Sequence, residues 1–141
     1  MEFSGKKVTV VGTGISGIGA VGLLNAVGAE VVLYDGNEKL KIEDIEKKLG
    51  TYKAEIVLGE LTKELTDSSD LLVISPGVPI DSPVVKAFEA AGVPIWGEVE
   101  LAYAFDKGKV LAITGTNGKT TTTALVGQIV GAYHKDRKSV V

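Results

Sequence analysis

The chain has 141 residues, 45% hydrophobic and 23% charged, the balance of a folded domain rather than a disordered one. A net charge of −3 leaves no basic footprint for nucleic acid, and the lack of cysteine excludes disulfides, thiolate metal sites and a cysteine nucleophile. One histidine, His134, argues against a histidine-based metal site or triad; no apolar run approaches the roughly 20 residues that span a bilayer, and the N-terminus lacks a secretory signal, so the expected location is the cytoplasm.

Lys7 to Val11 reads as a buried strand and leads into Gly12-Thr13-Gly14-Ile15-Ser16-Gly17. A helix is expected from Ser16 to Val27, with Gly28 after its end. Gly19 and Gly22 weaken that helix but would let it lie close to a sheet. Glu30 to Tyr34 is a second strand, with Asp35 just past it. Asn37 is expected to cap a helix through Leu49, its apolar positions Leu40, Ile42, Ile45 and Leu49 on one face. Glu55 to Leu58 is a short strand, and Leu61 to Leu65 one or two helical turns. Leu71 to Ser75 is a strand that Pro76-Gly77 ends. Ser82 to Ala91 is a helix with Pro83 in its first turn. Val93 to Trp96 is a strand and Gly97 to Phe105 a helix. After the turn Asp106-Lys107-Gly108, Lys109 to Thr114 is expected as a strand. The loop Gly115-Thr116-Asn117-Gly118-Lys119-Thr120-Thr121 follows, and a helix is expected from Lys119 to about Tyr133. Ser139-Val140-Val141 would begin one more strand.

Strands alternating with helices predict an α/β fold, a doubly wound, mostly parallel sheet with right-handed crossovers. The expected divisions are a Rossmann-like domain over 1–96, a linker and helix over 97–108, and the start of a phosphate-loop ATPase domain over 109–141. One strand, one loop and one helix cannot bury a sheet on both faces, so the chain is expected to be part of a longer protein.

Gly12, Gly14 and Gly17 match G-x-G-x-x-G between a strand and a helix. The first glycine permits the turn, the second lets backbone N–H groups approach a phosphate, and the third lets helix and strand pack closely. The helix N-terminus adds partial positive charge. Asp35 is placed to accept from a ribose or a base. UDP, NAD and ATP all present phosphate and ribose, so the pattern leaves the nucleotide open. The second loop ends in Gly118-Lys119-Thr120, as in G-x-x-x-x-G-K-[ST], but the position five before Gly118 is Ile113. Its backbone can still wrap phosphate, Lys119 can neutralise the β and γ phosphates, and the Thr120 hydroxyl can ligate Mg²⁺.

Thr114 to Thr121, including that departure, resembles the ATP loop of the Mur ligase family. With Gly12 to Gly17, Asp35, Ser75-Pro76-Gly77 and Gly97-Glu98-Val99-Glu100-Leu101, nearly the whole chain resembles the branch that joins D-glutamate to UDP-N-acetylmuramoyl-L-alanine for peptidoglycan. The resemblance implies a UDP-binding domain, a central ATPase domain and a C-terminal domain that helps bind D-glutamate. It implies that Gly14, Ile15, Ser16 and Asp35 contact the UDP moiety, with Ser75 and Gly77 assisting. Gly115, Thr116, Asn117, Gly118, Lys119, Thr120 and Thr121 would bind ATP, with Lys119 catalytic and Thr120 on Mg²⁺. The implied reaction forms an acyl phosphate from ATP, which the amine of D-glutamate then attacks. A carboxylate magnesium ligand, a modified lysine and a histidine of the family are expected beyond residue 141, so the chain alone is expected to be inactive. The parent is expected to be a monomer. The helix carrying Leu125, Val126, Ile129 and Val130 would pack on the first domain or on a second copy. The competing expectation is a nucleotide-sensing regulatory module that binds NAD; such a module has no need of the Gly-Lys-Thr loop. Trp96 is read as a packing residue, and Glu98 and Glu100 as helix-surface charges. His134 is read as solvated.

Overall fold

Five apolar runs become the strands of one parallel sheet. They are β1 (Lys7–Val11), β2 (Glu30–Asp35), β3 (Glu55–Leu58), β4 (Leu71–Ile74) and β5 (Ile95–Gly97), alternating with α1 (Ile15–Ala26), α2 (Ile42–Leu49), α3 (Lys63–Ser68), α4 (Pro83–Ala90) and α5 (Glu98–Phe105). The computed structural model describes residues 3–106 and 108–133, and the chain divides into two units, 1–106 and 107–141. The first unit holds the sheet, in the order β3-β2-β1-β4-β5 with every pairing parallel.

Alternation along the strands divides the core into two layers. Val8, Val10, Val31, Leu33, Leu71 and Val73 face one side and pack with Ala20, Val21 and Leu24 of α1, Ile45 and Leu49 of α2, and Leu101 of α5. Val11, Val32, Tyr34 and Leu72 face the other side, against Leu65 of α3 and Val85 and Phe88 of α4. Phe88, Leu24, Leu72 and Leu101 are almost wholly buried, and each such side chain contributes about 1.5–3 kcal/mol relative to exposure. The buried Thr9 is satisfied by Ser69, their hydroxyl oxygens 2.8 Å apart, and Ser69 Oγ donates to the Leu65 carbonyl at 2.7 Å. Trp96 packs edge-on against Phe3, ring centres 5.9 Å apart, in keeping with its reading as a packing residue.

Helix α1 ends in a Schellman motif. Gly28 adopts φ +76°, its N–H reaches the Asn25 carbonyl, and the Ala29 N–H reaches that of Leu24. The expectation that Gly19 and Gly22 let α1 approach the sheet is corrected: Gly22 lies beneath the Tyr52 ring, and a Cβ on Gly19 would meet nothing within 4 Å. Ala20, Val21 and Leu24 face the sheet instead. The helix expected from Asn37 begins only at Ile42. Asn37 Oδ1 accepts the Lys39 N–H at 3.1 Å, and its carbonyl accepts the Leu40 N–H. This local turn takes the groups a cap would have used.

In the second unit the described structure is a loop followed by α6 (Lys119–Tyr133). The strand expected over Lys109 to Thr114 is not formed. A strand needs a ladder partner for its N–H and C=O groups, and among the described residues the ladders lie in the five-stranded sheet. Ser139-Val140-Val141 and His134 lie outside the described residues.

Candidate functional site

The strand order reverses between β1 and β4. The chain winds outward from β1 through β2 to β3, then returns to the other side of β1. In an open parallel sheet this switch point leaves a crevice at the carboxyl ends of the strands, where ligands bind. The β1–α1 loop, the end of β2, the β4–α4 loop and the β5–α5 junction all lie at that end.

The three glycines of the first loop differ in what they do. Gly12 has φ +108°, a conformation that disfavours any side chain. A Cβ on Gly17 would stand 2.0 Å from the Gly12 carbonyl oxygen, so only glycine lets α1 start this close to β1. Gly14 has an ordinary φ of −76°, and a Cβ there would meet nothing within 4 Å. Its lack of a side chain leaves open space outside the loop, in keeping with ligand approach. Ile15 is 96% exposed, and Ser16 beside it is also exposed. Both stand in the first turn of α1, where N–H groups lack intrahelical partners.

Asp35 meets this loop directly. Its Oδ2 accepts the Thr13 hydroxyl at 2.9 Å and the Thr13 N–H at 3.3 Å, and its Oδ1 accepts the Asn37 N–H at 3.1 Å. A carboxylate has about four acceptor positions, so about one remains for a ligand. Thr13 is buried and escaped sequence reasoning, because a threonine between two glycines carries no periodic signal.

Ser75 and Glu98 form the second polar pair. Ser75 follows β4, its N–H donating to the Val11 carbonyl. Its hydroxyl donates to Glu98 Oε1 at 2.6 Å. The reading of Glu98 as a surface charge is corrected: it is half-buried, because β5 runs beside β4 and delivers the first turn of α5 to the end of that strand. Gly77 is exposed, with open space where a side chain would be. The site is an open rim rather than a cavity. A hollow of about 620 Å³, lined by Asn25, Glu30, Lys53 and Glu55 among others, lies at the opposite ends of β2 and β3 from these residues.

The second loop is closed on itself. Gly115 and Gly118 have φ of +153° and +76°, and Lys119 Nζ donates to the Gly115 carbonyl at 2.6 Å and to that of Thr116 at 3.4 Å. Two adjacent carbonyls of the loop thus hold the Lys119 ammonium. Thr116, Asn117, Thr120 and Thr121 are exposed. These residues fit a nucleotide phosphate. For Mg²⁺ they offer the Thr120 hydroxyl, and among the described residues no acidic or imidazole cluster completes a cation site. Magnesium ordinarily keeps waters and phosphate oxygens in its shell, so one hydroxyl fits it as a partial set.

Residues 6–97 match the family described as Mur ligase MurD-like, N-terminal domain. The chain is 65% identical over 135 residues to UDP-N-acetylmuramoylalanine--D-glutamate ligase of Lachnospira eligens, covering 96% of this chain and 30% of the relative. It is 57% identical over 136 residues to the ligase of the same name from Lachnoclostridium phytofermentans, with the same coverage. The chain thus spans about 30% of the length of these curated relatives. Among solved structures it resembles a pseudomurein peptide ligase type C from Methanothermus fervidus. The TM-score is 0.57 at 27% identity, over 90% of this chain and 26% of that one. A shikimate dehydrogenase from Aquifex aeolicus superposes at TM-score 0.51 and 16% identity, over 72% of this chain and 45% of that one, a likeness of fold alone.

Proposed function

Since the chain belongs to the Mur ligase family through its MurD-like N-terminal domain, we propose that its first unit holds the UDP moiety of UDP-N-acetylmuramoyl-L-alanine. The whole protein would be an ATP-dependent ligase that adds D-glutamate to that substrate in peptidoglycan precursor synthesis, in the cytoplasm. The observation that carries the reading is the glycine loop clasped to Asp35 at the switch point of the sheet.

The diphosphate would sit on the N–H groups of the first turn of α1, where the helix dipole favours negative charge. Gly14 leaves room for it, and Ile15 and Ser16 flank it. The one remaining acceptor position of Asp35 would take a single N–H or O–H of the uridine. Gly77 would let the β4–α4 loop approach the same ligand.

The second loop would bind ATP through Gly115 to Thr121. To do so, the Lys119 ammonium would exchange the Gly115 and Thr116 carbonyls for the β and γ phosphates. Mg²⁺, held by Thr120 and phosphate oxygens, would neutralise charge there. In the ligase reaction the substrate carboxylate oxygen attacks the γ phosphorus and ADP leaves. The amine of D-glutamate then attacks the acyl carbon, phosphate leaves, and the nitrogen loses a proton to give the amide. What this chain supplies is position and charge neutralisation.

Titrating the chain with UDP-N-acetylmuramoyl-L-alanine and with NADH tests the reading. Saturable binding of the uridine nucleotide supports it. Tight NADH binding without uridine nucleotide binding would replace it with the nucleotide-sensing alternative, against which the Gly-Lys-Thr loop already counts.

A further inference from the structure

Ser75 stands at the meeting point of three segments. Its N–H extends the β1–β4 ladder to the Val11 carbonyl, and its carbonyl accepts the Val78 N–H at 2.9 Å. Its hydroxyl oxygen borders the first loop, 3.0 Å from where a Cβ on Gly12 would be and 3.4 Å from one on Gly17. The hydroxyl proton is donated to Glu98 Oε1 at 2.6 Å.

A serine hydroxyl has one proton and two lone pairs. A carboxylate only accepts, and a bond this short to a charged acceptor is among the stronger kinds. With its proton committed, Ser75 can offer a ligand only lone pairs. Phosphate oxygens are acceptors as well and gain nothing there. A sugar hydroxyl or an amide N–H does. The two sides of the rim therefore have opposite polarity: N–H donors at the start of α1, and acceptors at Ser75 and Glu98.

We infer that Glu98 is a positioning residue that orients the Ser75 hydroxyl as an acceptor, so that the rim takes the N-acetylated sugar end of the ligand at Ser75 and its diphosphate at α1. The inference rests on the reading of the first unit as a UDP-sugar site, and it moves Ser75 from the UDP moiety, where the family resemblance would put it, to the sugar. Glu98 acts through Ser75 and need not touch the ligand.

The test is calorimetric titration of the chain and of Glu98→Gln with two ligands, UDP and UDP-N-acetylmuramoyl-L-alanine. The glutamine amide can donate to Ser75 and release its proton. The expected result is an unchanged UDP affinity and a loss of about tenfold for the sugar-bearing ligand, the size of one hydrogen bond. Glu98→Asp, which keeps a carboxylate, should recover part of that loss. Ser75→Ala should show the same selective loss, with no further loss in the double variant with Glu98→Gln. Melting curves check that each variant folds; if Glu98→Gln does not, the Ser75→Ala and Glu98→Asp titrations decide. Equal losses for both ligands would mean that Glu98 merely supports the loop, and no loss for either would remove it from the site; each overturns the inference. A wild-type chain that binds neither ligand overturns the UDP-sugar reading itself, and the inference with it.

Discussion

The Thr13 hydroxyl donates to Asp35 Oδ2 at 2.9 Å across 22 residues of sequence, so the residue proposed to receive a nucleotide also holds the loop that would cradle its phosphates. Thr13→Val keeps the shape and removes that bond. It should cost about 1–2 kcal/mol of stability, as expected for a hydrogen bond to a charged group that is only partly buried, and weaken uridine nucleotide binding. Asp35→Ala, which also frees the Asn37 N–H, should weaken binding further. Urea unfolding and nucleotide titration measure both; unchanged affinity in Asp35→Ala would take Asp35 out of the site.

The glycines of the first loop should separate folding from binding. Gly17→Ala places a methyl group 2.0 Å from the Gly12 carbonyl oxygen and should destabilise the unit by about 3 kcal/mol or more, as overpacking against immovable backbone does. Gly14→Ala meets open space at φ −76°, so its melting temperature should change little, the stiffer unfolded chain being offset by alanine's poorer fit at the N-cap. Its nucleotide affinity should nevertheless fall, because the methyl group occupies the phosphate's approach. A Gly14→Ala protein that melts and binds like wild type would contradict the role given to that glycine.

Tyr34 should make the unit sensitive to alkali. Burial, and secondarily the charge of Asp35, raise its pKa above the ordinary 10.0, while its hydroxyl donates to the Gly59 carbonyl at 2.7 Å. Below pH 10 both folded and unfolded states keep the proton, and the stabilisation is complete. As pH rises further the unfolded chain ionises first, so stability falls until the folded tyrosine ionises too. Tyr34→Phe should flatten that alkaline loss. At neutral pH it should cost about 1 kcal/mol, for the carbonyl left without its donor. Denaturant midpoints from pH 8 to 11 give the comparison.

Lys119→Ala should leave uridine nucleotide affinity unchanged, since its hydrogen bonds run to Gly115 and Thr116 of its own loop. Any ATP binding by the chain should be lost with the ammonium. Parallel titrations with ATP and with the uridine nucleotide check this. A fall in uridine nucleotide affinity would show that the two loops are not independent.

The sheet was legible in the sequence because its strands are short apolar runs set off by glycine, proline and charged residues. β1, β3 and α6 have the expected limits, and Asp35, expected just past the second strand, is its last residue. What escaped depends on neighbours distant in sequence. The partner of Thr13 is 22 residues away and that of Glu98 is 23, so the burial of either depends on strands lying side by side. Lys109 to Thr114 has the composition of a strand, but composition does not supply the second strand that a ladder needs. At Asn37, two local structures competed for one side chain, and the turn to Lys39 prevailed over the helix cap.

β1 is the middle strand, bonded along its length to β2 on one side and β4 on the other, and the Gly12 N–H adds one more bond to the Tyr34 carbonyl. Backbone so enclosed opens only when the whole unit unfolds. The amides from Val8 to Gly12 should therefore be the last to exchange with deuterium, while that of the exposed Gly77 exchanges early. The ligand would thus rest on one side against the backbone that is slowest to open and on the other against an exposed loop.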